Sequence, residues 1–182
     1  MNIFYLDHNP EKAAKIQIDK HVVKMVLESA QLLCTAHRVL DGVHGYKLSA
    51  NNRRLQQWTM TDPTMEEVLY KATHFNHPSG VWARESVENY KWLYEHFKAL
   101  SAEYTKRFNK CHLTWTKLGH VLDTPPKNAP NKPFFEPPQA MPPQYHVQGD
   151  SIAAYHKYYQ AEKLQLGTDK DRERYYKIYK GE

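Results

Sequence analysis

Cysteine is scarce in this chain. Its 182 residues contain two, Cys34 and Cys111, which gives neither a disulfide framework nor the paired spacing of a structural zinc site. A reducing compartment fits that usage: the cytoplasm, or the host-cell cytoplasm if the chain is phage-encoded. No apolar run approaches the ~18 residues of a membrane span. The opening Met1-Asn2-Ile3-Phe4-Tyr5-Leu6 meets Asp7 and His8 too soon to read as a secretory signal. The seven glycines form no phosphate-binding loop, no Gly-x-Gly-x-x-Gly and no Gly-x-Ser-x-Gly, and the His-x-Glu with Pro-Cys-x-x-Cys of zinc deaminases is missing. Kinase, Rossmann oxidoreductase, serine hydrolase and zinc deaminase chemistry are thereby disfavoured. There is no internal repeat.

What the chain does have is charge and rings. Lys and Arg number 25 against 20 Asp and Glu, for a net charge of +5 and an isoelectric point near 9.0, among 13 Tyr, four Trp and six Phe. Phosphates attract cations and bases stack on rings, so the leading partner is nucleic acid, duplex DNA first, with free nucleotides as the variant. Mildly basic soluble proteins without such a partner are common. No cofactor is expected. His74-x-x-His77 and Cys111-His112 offer metal ligands only if the fold unites them, and turn histidines are more often caps or surface groups.

The length suits a single domain over 1–182, mainly α, with two long helices, a Pro-rich irregular strap and a C-terminal helix. Asn9-Pro10-Glu11 reads as a helix start, a capping residue with proline at the first turn, and the helix is expected to run to about Leu40. Asp41-Gly42 would close it through a left-handed glycine. Val43 to Met60 is polar and loop-like, with the basic pair Arg53-Arg54. Asp62-Pro63 starts a shorter helix to about Ala72, and a turn-rich break through Gly80 leads to a long helix from Val81 to about Phe108. From Thr124 to Pro143 eight of the 11 prolines fall together, a density that regular structure does not survive. An ordered strap over 124–149, anchored by Phe134, Phe135, Met141 and Tyr145, is expected there. Asp150-Ser151 caps a helix to about Leu166. The basic, tyrosine-rich tail 169–182 is suited to docking on the body or on a polyanion.

The chemistry-bearing pattern is a polar stripe on the first helix. At about 100° per residue, Gln17, His21, Lys24, Glu28 and Gln31 fall within an arc of roughly 80°. A base, an amine and a carboxylate on one rigid face can support acid/base or nucleophilic work; a solvated helix face is the plain alternative. A desolvated lysine forms a Schiff base with a sugar carbon, and a nearby carboxylate stabilises a developing oxocarbenium ion. The candidate catalytic residues are therefore His21 as general acid/base, Lys24 as imine-forming amine or phosphate ligand, and Glu28 as charge stabiliser. Lys20, Arg53, Arg54, His77, Arg84, Asn89 and Lys157 are the candidate nucleic-acid contacts. A bulky Asn2 leaves Met1 in place, so any terminal amine would belong to Met1.

Several segments carry a resemblance: Asp19-Lys20-His21-Val22-Val23-Lys24-Met25, Asn76-His77-Pro78-Ser79, Trp82-Ala83-Arg84-Glu85-Ser86 with Asn89-Tyr90-Lys91-Trp92-Leu93, Gln139-Ala140-Met141-Pro142, and Ala154-Tyr155-His156-Lys157-Tyr158-Tyr159 with Glu162-Lys163. Together they resemble a family of small phage proteins of uncertain function. More distantly, the layout is similar to the phage pyrimidine-dimer DNA glycosylases of the endonuclease V type, whose tyrosine-rich tail Arg174-Tyr175-Tyr176-Lys177-Ile178-Tyr179-Lys180-Gly181 resembles. That likeness implies base excision through a Schiff base between an N-terminal amine and the sugar C1′, with base flipping and a kinked duplex. The chain departs from it at two points. Asn2 stands where the family processes a terminal Thr, and His21 stands where its catalytic Glu falls, with Lys24 for its Arg and Glu28 a turn or more later. The expectation is a glycosylase/lyase-like DNA repair or modification enzyme with a displaced acid, or another reaction on nucleotides or DNA. The alternative is a non-catalytic DNA-binding or host-interaction protein.

Overall fold

The computed structural model describes residues 1–181. It is mainly α: α1 (Pro10–Lys15), α2 (Asp19–Asp41), α3 (Pro63–Val68), α4 (Pro78–Glu85), α5 (Val87–Phe108), α6 (Leu113–Leu118), α7 (Ser151–Tyr158) and α8 (Asp169–Lys180), with one antiparallel hairpin, β1 (Val43–Leu48) and β2 (Arg54–Thr59). Among the described residues no helix is long and apolar enough to cross a membrane.

The centre is α2 packed along α5, with α1, α4 and α6 around them. Val22, Met25, Val26, Leu32 and Leu33 of α2 meet Tyr90, Leu93, Phe97 and Leu100 of α5 in one apolar cluster, and burying each such side chain contributes about 1.5–3 kcal/mol. Ile3, Phe4, Tyr5 and Leu6 are buried in the same cluster as an irregular segment. Asn2 pins that segment: its Oδ1 accepts from the amides of Ile3 (2.7 Å) and Phe4 (2.9 Å), and Phe4 sits in the left-handed region at φ +52°.

Several expected boundaries move. The first helix is broken at Ile16-Gln17-Ile18, which takes Gln17 out of the stripe and into the interior. Gly42 ends α2 in an extended conformation (φ −88°) and not a left-handed one; glycine is needed there because a Cβ would lie 2.4 Å from Arg38 O. The segment expected as loop from Val43 to Met60 forms the hairpin. The helix after Asp62 stops at Val68, not near Ala72. The long helix expected from Val81 begins instead at Pro78 and divides at Ser86, whose extended backbone (φ −152°) and side chain cap the second half, with Oγ accepting from Glu88 N (3.1 Å).

The proline-rich stretch is an irregular strap held by hydrogen bonds. Trp82 Nε1 donates to Phe135 O (2.8 Å), Ser86 Oγ to Lys132 O (2.5 Å), Tyr155 O–H to Pro138 O (3.0 Å) and Ser151 Oγ to Pro137 O (2.8 Å). After the strap, α7 continues through a π-turn (Tyr159–Lys163) and a 3₁₀ turn (Leu164–Leu166) to Gly167. The tail forms α8, which docks on the body through buried Tyr175, stacked on Tyr159 at 5.7 Å.

Candidate functional site

Three consecutive turns of α2 place His21, Lys24 and Glu28 beside the N-terminal segment. Glu28 is the best-engaged member. Its Oε1 pairs with Lys24 Nζ at 3.1 Å, and its Oε2 accepts from the Asn2 amide at 3.1 Å. The Glu28 side chain is 12% exposed and the Lys24 side chain 68%. Lys24 is therefore not the desolvated amine expected from the sequence. Its flexible ammonium reaches into water and back to a shielded carboxylate. Asn2 Nδ2 also donates to Ala140 O (2.9 Å), so the same residue joins the strap to the carboxylate.

His21 is buried and looks inward. Its ring stacks on Phe4 (4.4 Å, 12°), and Nδ1 lies 2.7 Å from Tyr159 Oη. Ile18 N donates to that same phenol oxygen (3.0 Å), so one hydroxyl ties the His21 ring to the start of α2. Burial, then Lys163 and Lys24, push His21 down to about 4, against a smaller upward pull from Asp171. At neutral pH His21 is an uncharged base or hydrogen-bond donor, not the imidazolium acid that a general-acid role asks for.

Lys163, which the stripe did not include, belongs to the same neighbourhood. Its Nζ lies 4.5 Å from the centroid of Tyr158 and 3.7 Å from Glu162 Oε2, and its charge acts on His21. The π-turn brings it there, and such insertions recur at functional sites. The Tyr158-Tyr159 and Glu162-Lys163 pairs were the available sequence signal. His77 completes the group. It caps α4, with Nδ1 accepting from Ser79 N (3.2 Å), and its basicity is lowered by burial, the terminal amine and His74 and raised by Glu28. Gly80 lets α4 lie close to α2, since a Cβ there would stand 3.3 Å from His74 O and 3.5 Å from Leu32.

The remaining candidates scatter. Asn89 is fully buried; its Nδ2 donates to Trp82 O (2.9 Å) and its Oδ1 accepts from Phe135 N (3.1 Å), so it fastens the strap and is no surface contact. Arg84 is half-buried and donates to Gly80 O within its own helix (3.0 Å). Trp82 is core. Lys20 is exposed, as is Lys157, whose Nζ donates to Gln144 O (2.9 Å). Arg53 and Arg54 lie at the hairpin tip. The metal pairing does not assemble: His74 bonds Thr73 (2.8 Å), His112 caps α6 by accepting from Thr114 N (3.2 Å), and Cys111 Sγ lies against Thr116 Oγ1 (3.3 Å). Among the described residues no three His, Cys, Asp or Glu side chains gather as a metal site. Comparison of the chain with protein-family models, with curated proteins and with solved structures finds no match.

Proposed function

We propose that the protein is a DNA-acting enzyme of the acid-plus-amine class and, within that class, a DNA glycosylase/lyase-like repair or modification enzyme whose carboxylate is Glu28. One observation carries the reading. Glu28 is shielded from water yet held in its charged form's geometry by an ammonium and a backbone amide, the arrangement that stabilises a cation forming at a sugar carbon.

In this mechanism Glu28 stays ionised beside the cation forming at C1′, and the exposed Lys24 ammonium gives its proton to water. The freed Nζ lone pair attacks C1′, the C1′–N bond breaks, and the base leaves with that bond's electron pair and is protonated by water. The adduct nitrogen then gives a proton to O4′ as the C1′–O4′ bond breaks, leaving the protonated imine; water hydrolyses it, either directly or after loss of a C2′ proton to water expels the 3′ phosphate and leaves the unsaturated imine. Neutral His21, fixed by Tyr159, orients the reacting groups, and Lys163 and Lys24 offset phosphate charge. The phage-glycosylase likeness supports the same chemistry, with the acid displaced along the helix.

Borohydride trapping on abasic or damaged duplex DNA tests this. A covalent adduct that maps to Lys24, is lost in Lys24→Ala and falls by at least tenfold in Glu28→Gln is the expected result. Activity on mononucleotides that duplex DNA does not inhibit would move the substrate to free nucleotides. A non-catalytic DNA-binding or host-interaction protein is the second reading, favoured by the exposure of Lys24 and the inward-facing His21. It predicts salt-sensitive binding and no adduct.

A further inference from the structure

The hairpin takes no part in the site above, and its composition is unlike the rest of the chain. From Val43 to Met60, 18 residues contain no Asp or Glu and carry Lys47, Arg53 and Arg54. The ladder pairs His44 with Trp58, Tyr46 with Gln56 and Leu48 with Arg54, so these six side chains share one face. That face is ordered from within. The Arg54 guanidinium lies 3.5 Å from the Tyr46 ring centroid, His44 is 5.0 Å from both Tyr46 and Trp58, and His44 Nε2 meets Gln56 Oε1 at 3.1 Å. Tyr46 is 49% exposed and Leu48 67%.

The root of the ribbon leads to the candidate site. Trp58 packs on Phe75 (4.8 Å), the adjacent His74 accepts at its carbonyl from His77 N (2.8 Å), and His77 lies in the field of Glu28.

We propose that this ribbon grips duplex DNA. Its occupant follows from charge and shape. Three cations without a carboxylate match a polyanion, a two-stranded ribbon fits the major groove of B-form DNA, and a glutamine amide beside exposed rings can contact base edges and thymine methyls. Arg53 in the turn and Lys47 on the opposite face lie where flanking phosphates would run. The inference rests on the DNA-directed reading above for what reaches Glu28, but its test is binding alone.

The test measures anisotropy of a labelled duplex, and of one of its strands, across a series of NaCl concentrations. Replacing Lys47, Arg53 and Arg54 together by Gln is expected to weaken duplex binding at least tenfold and to lower the slope of log K against log salt by about 0.9 for each phosphate that the variant leaves unneutralised. Tyr46→Ser, with the cations intact, is expected to weaken duplex binding and leave the slope unchanged. A triple variant that melts like the parent and binds with unchanged affinity and slope overturns the proposal. So does tighter binding of the single strand than of the duplex. If the triple variant does not fold, Tyr46→Ser decides, and unchanged affinity there overturns it. Borohydride trapping of the parent run in parallel separates the two ideas: ribbon-dependent binding without any adduct removes the enzyme and keeps the ribbon, while adduct formation with ribbon-independent binding does the reverse.

Discussion

Two residues show how single side chains decide local structure. Asn2 holds Phe4 in a left-handed conformation that costs an aromatic residue of order 1–3 kcal/mol and persists only where neighbours over-determine it. Removing its side chain in Asn2→Ala frees two amides, releases Ala140 of the strap and loosens the ring under His21. The expected loss is about 1–2 kcal/mol, read from urea unfolding, together with a fall in any Glu28-dependent activity, because the amide on Oε2 moves with the segment. Arg38 is the second case. Fully buried on α2, it donates to Tyr70 O (2.7 Å), Trp58 O (3.0 Å), Leu69 O (2.9 Å) and Glu66, and so ties α3 and the hairpin root to the body. Arg38→Met strands these acceptors and is expected to cost about 3–5 kcal/mol. A melting temperature equal to the parent's would refute that role. Nothing in the spacing of the sequence singles out Arg38, since a helical arginine reads as a surface cation until its partners are known.

At the level of elements, what could be read depended on whether the signal was local. Asn9-Pro10, Asp62-Pro63 and Asp150-Ser151 announce helix starts, and the caps form as their side chains dictate. The break between α1 and α2 has no proline or glycine to announce it. Its cause is tertiary: Arg107 takes the carbonyls of Lys15 (2.9 Å) and Gln17 (2.7 Å), and Tyr159 takes the amide of Ile18 (3.0 Å). The N-terminus of α2 is likewise capped from afar, with Asp171 of α8 accepting from Asp19 N (2.9 Å). Burial alone would raise the Asp171 carboxyl; amides of Thr168 and Asp19, with Arg174 beside it, outweigh this and hold it down to about 2. Asp171→Ala removes a cap and a partner of Arg174 at once, and about 2–4 kcal/mol of stability should go with it. Helix α2 is expected to fray first, as faster amide exchange at Asp19 and Lys20. The hairpin was illegible for a similar reason: Val43 to Met60 lacks clean alternation of apolar and polar residues, and its turn Ala50-Asn51-Asn52 carries no glycine. The site was half legible. Helical spacing brought His21, Lys24 and Glu28 together, whereas Asn2 comes from the irregular segment ahead of the helices and Tyr159 and Lys163 arrive from more than a hundred residues along the chain.

The whole molecule carries an acid-sensitive pattern. His21 and His37 are pushed down to about 4 and His96 to about 3, in each case first by burial, and His77, His112 and His156 are lowered for the same leading reason. In the unfolded chain these rings protonate near 6.5. Between 6.5 and about 4 the unfolded state therefore binds protons that the native state does not, so stability is full above 6.5 and falls as the pH drops toward 4. Each fully buried ring adds a slope of up to ~1.4 kcal/mol per pH unit. Glu66, lowered to about 2 first by the Lys71 hydrogen bond and then by the Met60 amide and Arg38 against the effect of burial, joins only below about 4.5. Protection by carboxylates alone would leave the urea midpoint level down to that point. The expected curve instead bends at about 6.5, well before the carboxylates titrate. His37→Gln, which keeps a donor for Tyr90 Oη, should flatten it by one ring's share. A midpoint constant from 6.5 to 4.5 would mean that the buried imidazoles, His21 among them, accept protons in place.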